Sequence, residues 1–230
     1  MHIPDGFINA PTSLAAGAAA AGGVGVSLRR AARTLQDRQA PLAGLVAAYI
    51  FVVQMLNFPV AAGTSGHLLG GALAAVLVGP WAGALCVSVV LLVQAMYADG
   101  GLSALGLNII NMALVTAWGG YAIFLVLRRA LPASRTGVTI SAGVAAGTSV
   151  VLASLAFVVE YAVGGNGGAS VGTVFAAMVG VHTLIGIGEG IITALTVAAV
   201  LAVRPDLVYG AADLRTPLVL DTTPGEPAGR

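Results

Sequence analysis

The chain has no lysine, one cysteine and little charge of either sign: charged residues make up 8% of its 230 residues, with a net charge of +1. Each scarcity excludes something. The lone Cys86 lies in an apolar run, which rules out disulfides and cysteine-paired zinc sites and reads as a small buried hydrophobe. Without lysine there is no Gly-x-x-x-x-Gly-Lys phosphate loop, so the chain has no usual cradle for hydrolysing ATP. No His-Glu-x-x-His pattern is present, which removes the commonest zinc hydrolase arrangement. We expect no enzymatic activity, no organic cofactor and no nucleic-acid partner.

What is abundant is apolar: 58% of the residues are hydrophobic and the mean hydropathy is +0.96, the composition of a polytopic membrane protein. Seven apolar segments, at roughly 11–28, 42–60, 68–79, 81–97, 102–127, 138–162 and 172–203, predict an all-α bundle of seven transmembrane helices. The third is short, glycine-rich and closed by Gly79-Pro80, so it forms a tight hairpin with the fourth and starts below the membrane surface, near His67. All ten basic side chains are arginines. Arg29, Arg30, Arg33 and Arg38 follow segment one, Arg128, Arg129 and Arg135 follow segment five, and Arg204, Arg215 and Arg230 follow segment seven. By the positive-inside rule these connections are cytoplasmic, which puts the N-terminus outside and the C-terminus inside. No secretory signal is expected, because Asp5 precedes the first apolar run and Arg29 and Arg30 follow it.

The chain opens Met1-His2. An unblocked α-amine, the His2 amide and the His2 Nδ1 can close two fused chelate rings in one plane, leaving a fourth corner open. A square-planar nitrogen set suits Ni(II) or Cu(II). The candidate for the fourth corner is His67, which the topology brings to the same outer face. Asp5, Asp99 and Glu160 make that face mildly acidic, which concentrates cations. Ser65, Asp99, Asn108 and Asn111 are candidates for supporting the ligands, the two asparagines by orienting an imidazole or the terminal loop. His182 and Glu189 lie seven apart on one face of segment seven and read as an interhelical hydrogen-bonding pair. Gln54 and Asn57 have no assigned role.

The runs Met1-His2-Ile3-Pro4-Asp5-Gly6-Phe7, Gly63-Thr64-Ser65-Gly66-His67-Leu68-Leu69-Gly70-Gly71, Gly79-Pro80, Gln94 to Gly101 and Leu105-Gly106-x-Asn108-x-x-Asn111-Met112 resemble the CbiM/NikM family. These are the substrate-capturing S components of energy-coupling-factor importers for nickel and cobalt, and the likeness covers about residues 1–203. It implies a seven-helix fold plugged by its own N-terminus, with Met1, His2 and His67 as the ligands of Ni(II) or Co(II). It also implies a transmembrane coupling subunit, two ATP-binding cassette ATPases and, in some systems, a small auxiliary membrane subunit, in the cell membrane of a prokaryote. Leu107 departs from the expected smaller residue. The stripe Ala43, Gly44, Ala47 and Ala48 is a candidate face for the coupling subunit. Residues 1–10 are then the chelating segment of a membrane domain ending at 203, and 204–230 a flexible cytoplasmic tail. The alternative is a self-sufficient secondary metal transporter, which internal repeats and buried coupling carboxylates would mark.

Overall fold

The computed structural model describes residues 1–35, 40–56, 58–59 and 65–214. Among them the architecture is helical apart from a two-residue antiparallel ladder, Phe58 opposite Gly66 and Pro59 opposite Ser65, and one bridge between Ile8 and Gly165. The helices are α1 (Ala10–Thr34), α2 (Ala40–Gln54), α3 (Gly71–Val78), α4 (Pro80–Met96), α5 (Leu105–Ala130), α6 (Arg135–Gly164) and α7 (Val171–Val203). Side-chain caps set three starts: Asn9, Ser134 and Ser170 accept from the main-chain N–H three residues on, at Thr12, Gly137 and Thr173.

Each expected apolar segment carries a helix, but the helices are unequal. Among the described residues only α5, α6 and α7 are both long and apolar enough to cross a membrane. At 15 and 17 residues, α2 and α4 are shorter. All eight residues of α3 are buried, as expected of a helix apolar on every side. It spans only about 12 Å. Gly79, at φ +90°, turns the chain directly into α4, which begins on Pro80 and packs back on α3. α5 departs from α geometry just after Asn108, winding as a π-helix from Ile109 to Gly119. The outward faces are apolar, with Leu184, Leu195, Val163 and Leu45 well exposed, as contact with lipid requires.

The stripe on α2 divides. Ala43 and Ala47 are half-buried against the core, and the Ala43 carbonyl accepts from the Cys86 thiol; Gly44 and Ala48 face outward. The tail expected from 204 is also corrected in part. Residues 205–214 form two 3₁₀ turns, Pro205–Leu207 and Tyr209–Leu214, because Val208 and Ala211 are buried apolar anchors. Tyr209 packs on Tyr121, and Arg128 pairs with Asp213 at 2.6 Å. The remainder, 215–230, lies outside the described residues, as does Asn57.

α6 and α7 cross on glycine. A methyl group placed on Gly186 would lie 2.6 Å from the Gly147 carbonyl oxygen, and one on Gly143 would lie 2.8 Å from that of Gly190. Such backbone contact is the small-residue packing of membrane helices. Gly186→Ala or Gly147→Ala should therefore force the helices apart and cost about 1–3 kcal/mol. Gly180→Ala, with open space around it, should be neutral or slightly stabilising. Unfolding in detergent of the three variants checks this; equal stabilities would refute the close crossing.

Candidate metal centre

The first three residues are threaded into the bundle, Asp5 and Gly6 are exposed, and Ile8 is buried again. Met1 and Ile3 are fully buried and His2 is 5% exposed. Asn108 clamps Ile3 at two points, its Oδ1 accepting from the Ile3 N–H at 2.8 Å and its Nδ2 donating to the Ile3 carbonyl at 3.2 Å. The Gly101 N–H donates to that same carbonyl at 2.8 Å. Farther along, Asp5 accepts from the main chain and hydroxyl of Ser103, which lowers its pKa. Asn166 donates through its main-chain N–H to the Phe7 carbonyl and through its side chain to Gly6. Phe7 packs between Phe157 and Tyr161 at ring distances of 5.9 and 5.4 Å.

This threading brings His2 to His67, with ring centroids 4.6 Å apart and planes 30° from parallel. Gly100, at φ +101°, lies against the His2 ring, and a side chain there would meet Nδ1 at 2.8 Å. The turn also carries Ala98 at φ +60°, and it presents Asp99 so that Oδ2 stands 3.8 Å from His2 Nε2. A carboxylate near the outer ring nitrogen favours the tautomer whose Nδ1 is free to bind metal. His67 is oriented differently: its Nδ1 is 2.7 Å from the Leu68 carbonyl, and its Nε2 is buried without a hydrogen-bond partner. That leaves a lone pair in the interior with nothing to accept.

His67 sits in irregular backbone between the short ladder and α3, where helical main-chain bonds are missing. Side chains replace them. The Glu189 carboxylate accepts from the Leu69 N–H at 2.6 Å and the Gly70 N–H at 2.9 Å, and Gln54 donates to the Leu69 carbonyl at 2.6 Å. The sequence reading did not give Gln54 and Glu189 this role. The signal available was a pair of buried polar side chains facing a segment too short to be helical throughout its depth.

Other expected residues fall out as follows. Asn108 bonds the main chain of Ile3 in the terminal segment. Asn111 instead donates to Glu160 of α6 at 2.6 Å. Ser65 contributes main chain to the short ladder. Among the described residues no three His, Cys, Asp or Glu side chains are grouped as metal ligands.

Burial sets protonation. It lowers the terminal amine from 8.0 to about 4, partly opposed by Asp99, and lowers His2 from 6.5 to about 3, helped by the charge of the amine. His67 is held well below 6.5 by burial and then by the amine and His2; the Leu68 carbonyl opposes, and His182 lowers it further. All three are deprotonated at neutral pH, the state that metal ligation requires. A free terminus, by contrast, would meet proton competition near neutrality.

Two kinds of comparison fit this geometry. Residues 2–207 match the family described as CbiM, the cobalt uptake substrate-specific transmembrane region. A relative from Haloquadratum walsbyi, named for metal transport, is 39% identical over 210 residues, covering 91% of this chain and 94% of its own. The fused nickel transport protein NikMN of Rhodobacter capsulatus is 39% identical over 164 residues, 71% of this chain and 47% of that longer protein. The crystal structure of a transition metal transporter superposes with a TM-score of 0.82 at 28% identity, covering 94% of this chain and all of that one.

The protonation states predict a pH effect. Between the free and docked values of the amine, the undocked terminus binds a proton that the docked one excludes, so docking loses stability as pH falls below about 8. Hydrogen exchange at the Ile3 and Gly101 amides, corrected for intrinsic rates, should lose at least roughly tenfold in protection from pH 7.5 to 5.5. Constant protection would mean that the amine is not buried.

Proposed function

The chain belongs to the CbiM family of cobalt and nickel transport proteins, and we propose that it is the substrate-capturing S component of an energy-coupling-factor importer for Ni(II) or Co(II). The observation that carries this reading is the buried amino-terminal segment, which seats His2 on His67 and leaves the His67 Nε2 unpartnered. The ion is held in a plane by the Met1 amine, the His2 main-chain nitrogen, His2 Nδ1 and His67 Nε2. Asp99 orients His2, Asn108 fixes the chain just beyond it, and Glu189 and Gln54 hold the stretch that carries His67.

The chain is a multi-pass membrane protein, and we read it as crossing seven times with its terminus at the outer face of a prokaryotic cell membrane. The arginine distribution supports that orientation. Energy comes from two ATP-binding cassette ATPases through a transmembrane coupling subunit, with a small auxiliary membrane subunit as a further partner. Gly44 and Ala48, exposed on α2, suit close packing of a partner helix. A self-sufficient secondary transporter would need a titrating carboxylate within the bundle. Glu189 is the natural candidate, but each of its oxygens already accepts a main-chain N–H, which favours a structural role. Nickel and cobalt both accept nitrogen donors, and the Irving–Williams order favours copper, so geometry and availability select the ion.

Equilibrium titration of the purified chain with its native terminus tests the ligand set. His2→Ala and His67→Ala should each abolish high-affinity Ni(II) binding, and so should one extra residue before Met1, which removes the amine donor and leaves both histidines. Undiminished binding by the extended chain would exclude the amine. In proteoliposomes, the isolated chain should bind metal yet show no ATP-driven uptake of radiolabelled nickel; robust accumulation would overturn the S-component reading.

A further inference from the structure

Every residue of the chelate is buried, Met1 and His67 completely and His2 at 5% exposure, so an arriving ion must first be received by groups that solvent reaches. Where α2 and α4 end, a cavity of about 400 Å³ is lined by Phe51, Met55, Gln94, Tyr97 and Asp99. Met55 and Tyr97 are exposed and Gln94 is buried, which makes Gln94 the inner end of this space. Asp99 joins it to the chelate. Its Oδ2 stands 3.8 Å from His2 Nε2, so the cavity ends one side chain away from a ligand.

Two features of this lining have no structural explanation. Gln94 is 1% exposed, yet neither its Oε1 nor its Nε2 has a hydrogen-bond partner. Buried amides are normally bonded. One left open at both ends beside a space roomy enough for water is suited to bond what fills that space. The Gln94 carbonyl also accepts the Tyr97 and Asp99 N–H groups at 2.9 and 3.0 Å, which ties three of the wall residues into one turn. That turn carries Ala98 at φ +60°, a conformation uncommon for any residue but glycine and one that gathers at functional sites.

We propose that this cavity is the loading vestibule of the metal centre, where a hydrated divalent cation is held through its water shell by the Asp99 carboxylate and the Gln94 amide before it sheds that shell beside His2. The proposal rests on Met1, His2 and His67 being the capture ligands. Six waters at ~30 Å³ each occupy roughly 180 Å³, less than half of the cavity. The Gln94 Oε1 accepts from a water of the shell, and the carboxylate supplies the attraction that raises the local concentration of cations. Contacts made through water hold the ion without stripping it. It stays free to move on.

Hexaamminecobalt(III) is the probe: it resembles a hydrated cation, but its ammine ligands do not exchange, so it fits the vestibule and cannot enter the chelate. Equilibrium dialysis should show it bound to the metal-free native chain and lost from Gln94→Met, a variant that keeps the size and net charge of the wild type. In stopped-flow mixing it should slow Ni(II) binding to the native chain but not to the variant. Without the probe, Gln94→Met should lower the association and dissociation rates of Ni(II) together, each about fivefold, the worth of a hydrogen bond. Their ratio should hold, because a position along the path alters the barrier and not the end states. A probe that acts equally on both chains would be screening the acidic face, and this overturns the vestibule, as do unchanged Ni(II) rates. A raised dissociation constant, with or without lower thermal stability, would make Gln94 a support of the chelate and overturn it too. Failure of the capture reading is separate: the native chain would then bind no nickel, while dialysis would still report on the probe.

Discussion

Everything at the candidate metal centre depends on satisfying a main chain that is not helical inside an apolar bundle. From His67 to Gly70 the backbone is irregular and largely buried, where an unpaired amide costs several kcal/mol. Glu189 takes two N–H groups, Gln54 gives to one carbonyl and the His67 ring bonds another. This last bond both satisfies the chain and fixes the imidazole. The same substitution of side chain for helix explains why α3 has only eight residues: the irregular stretch and the terminal segment occupy the depth that the rest of a spanning helix would fill.

Much of this was legible in the sequence, and the exceptions have physical causes. Apolar runs located all seven helices, because burial in lipid or protein demands composition above all else. Composition says nothing of how deep each helix begins. The Met-His start and His67 stood out as chelate candidates because that chemistry needs few residues at fixed spacing, and the fold sets the two rings side by side. Gln54 had no assigned role and Glu189 was read as an interhelical partner of His182, since their true partners are main-chain groups 15, 119 and 120 residues away, and no local pattern encodes such a bond. Asn111 turned to Glu160 for the same reason. The tail was misjudged at 205–214 because a few apolar anchors, Val208, Tyr209 and Ala211, count for little in average composition but suffice to close the end of a bundle.

The terminal segment and the glycine crossing divide the labour of the fold. Gly143, Gly147, Gly186 and Gly190 lock α6 to α7 at backbone contact, giving His182 and Glu189 a rigid wall to stand on. Residues 1–9 are held instead by hydrogen bonds and two aromatic contacts, part of them to α6 itself.

The partners of residues 1–9 have a consequence for how the protein is made. Asn108, Gly101, Ser103, Gly164 and Asn166 leave the ribosome some 90 to 160 residues after the segment they hold. This early segment is therefore among the last to find its place. In the meantime it waits for helices that do not yet exist. Its aromatic anchor, Phe7, has nothing to grip until α6 arrives. Assembly of the binding centre is thus a final inspection of the whole bundle, completed only in a molecule whose later helices have all been correctly inserted.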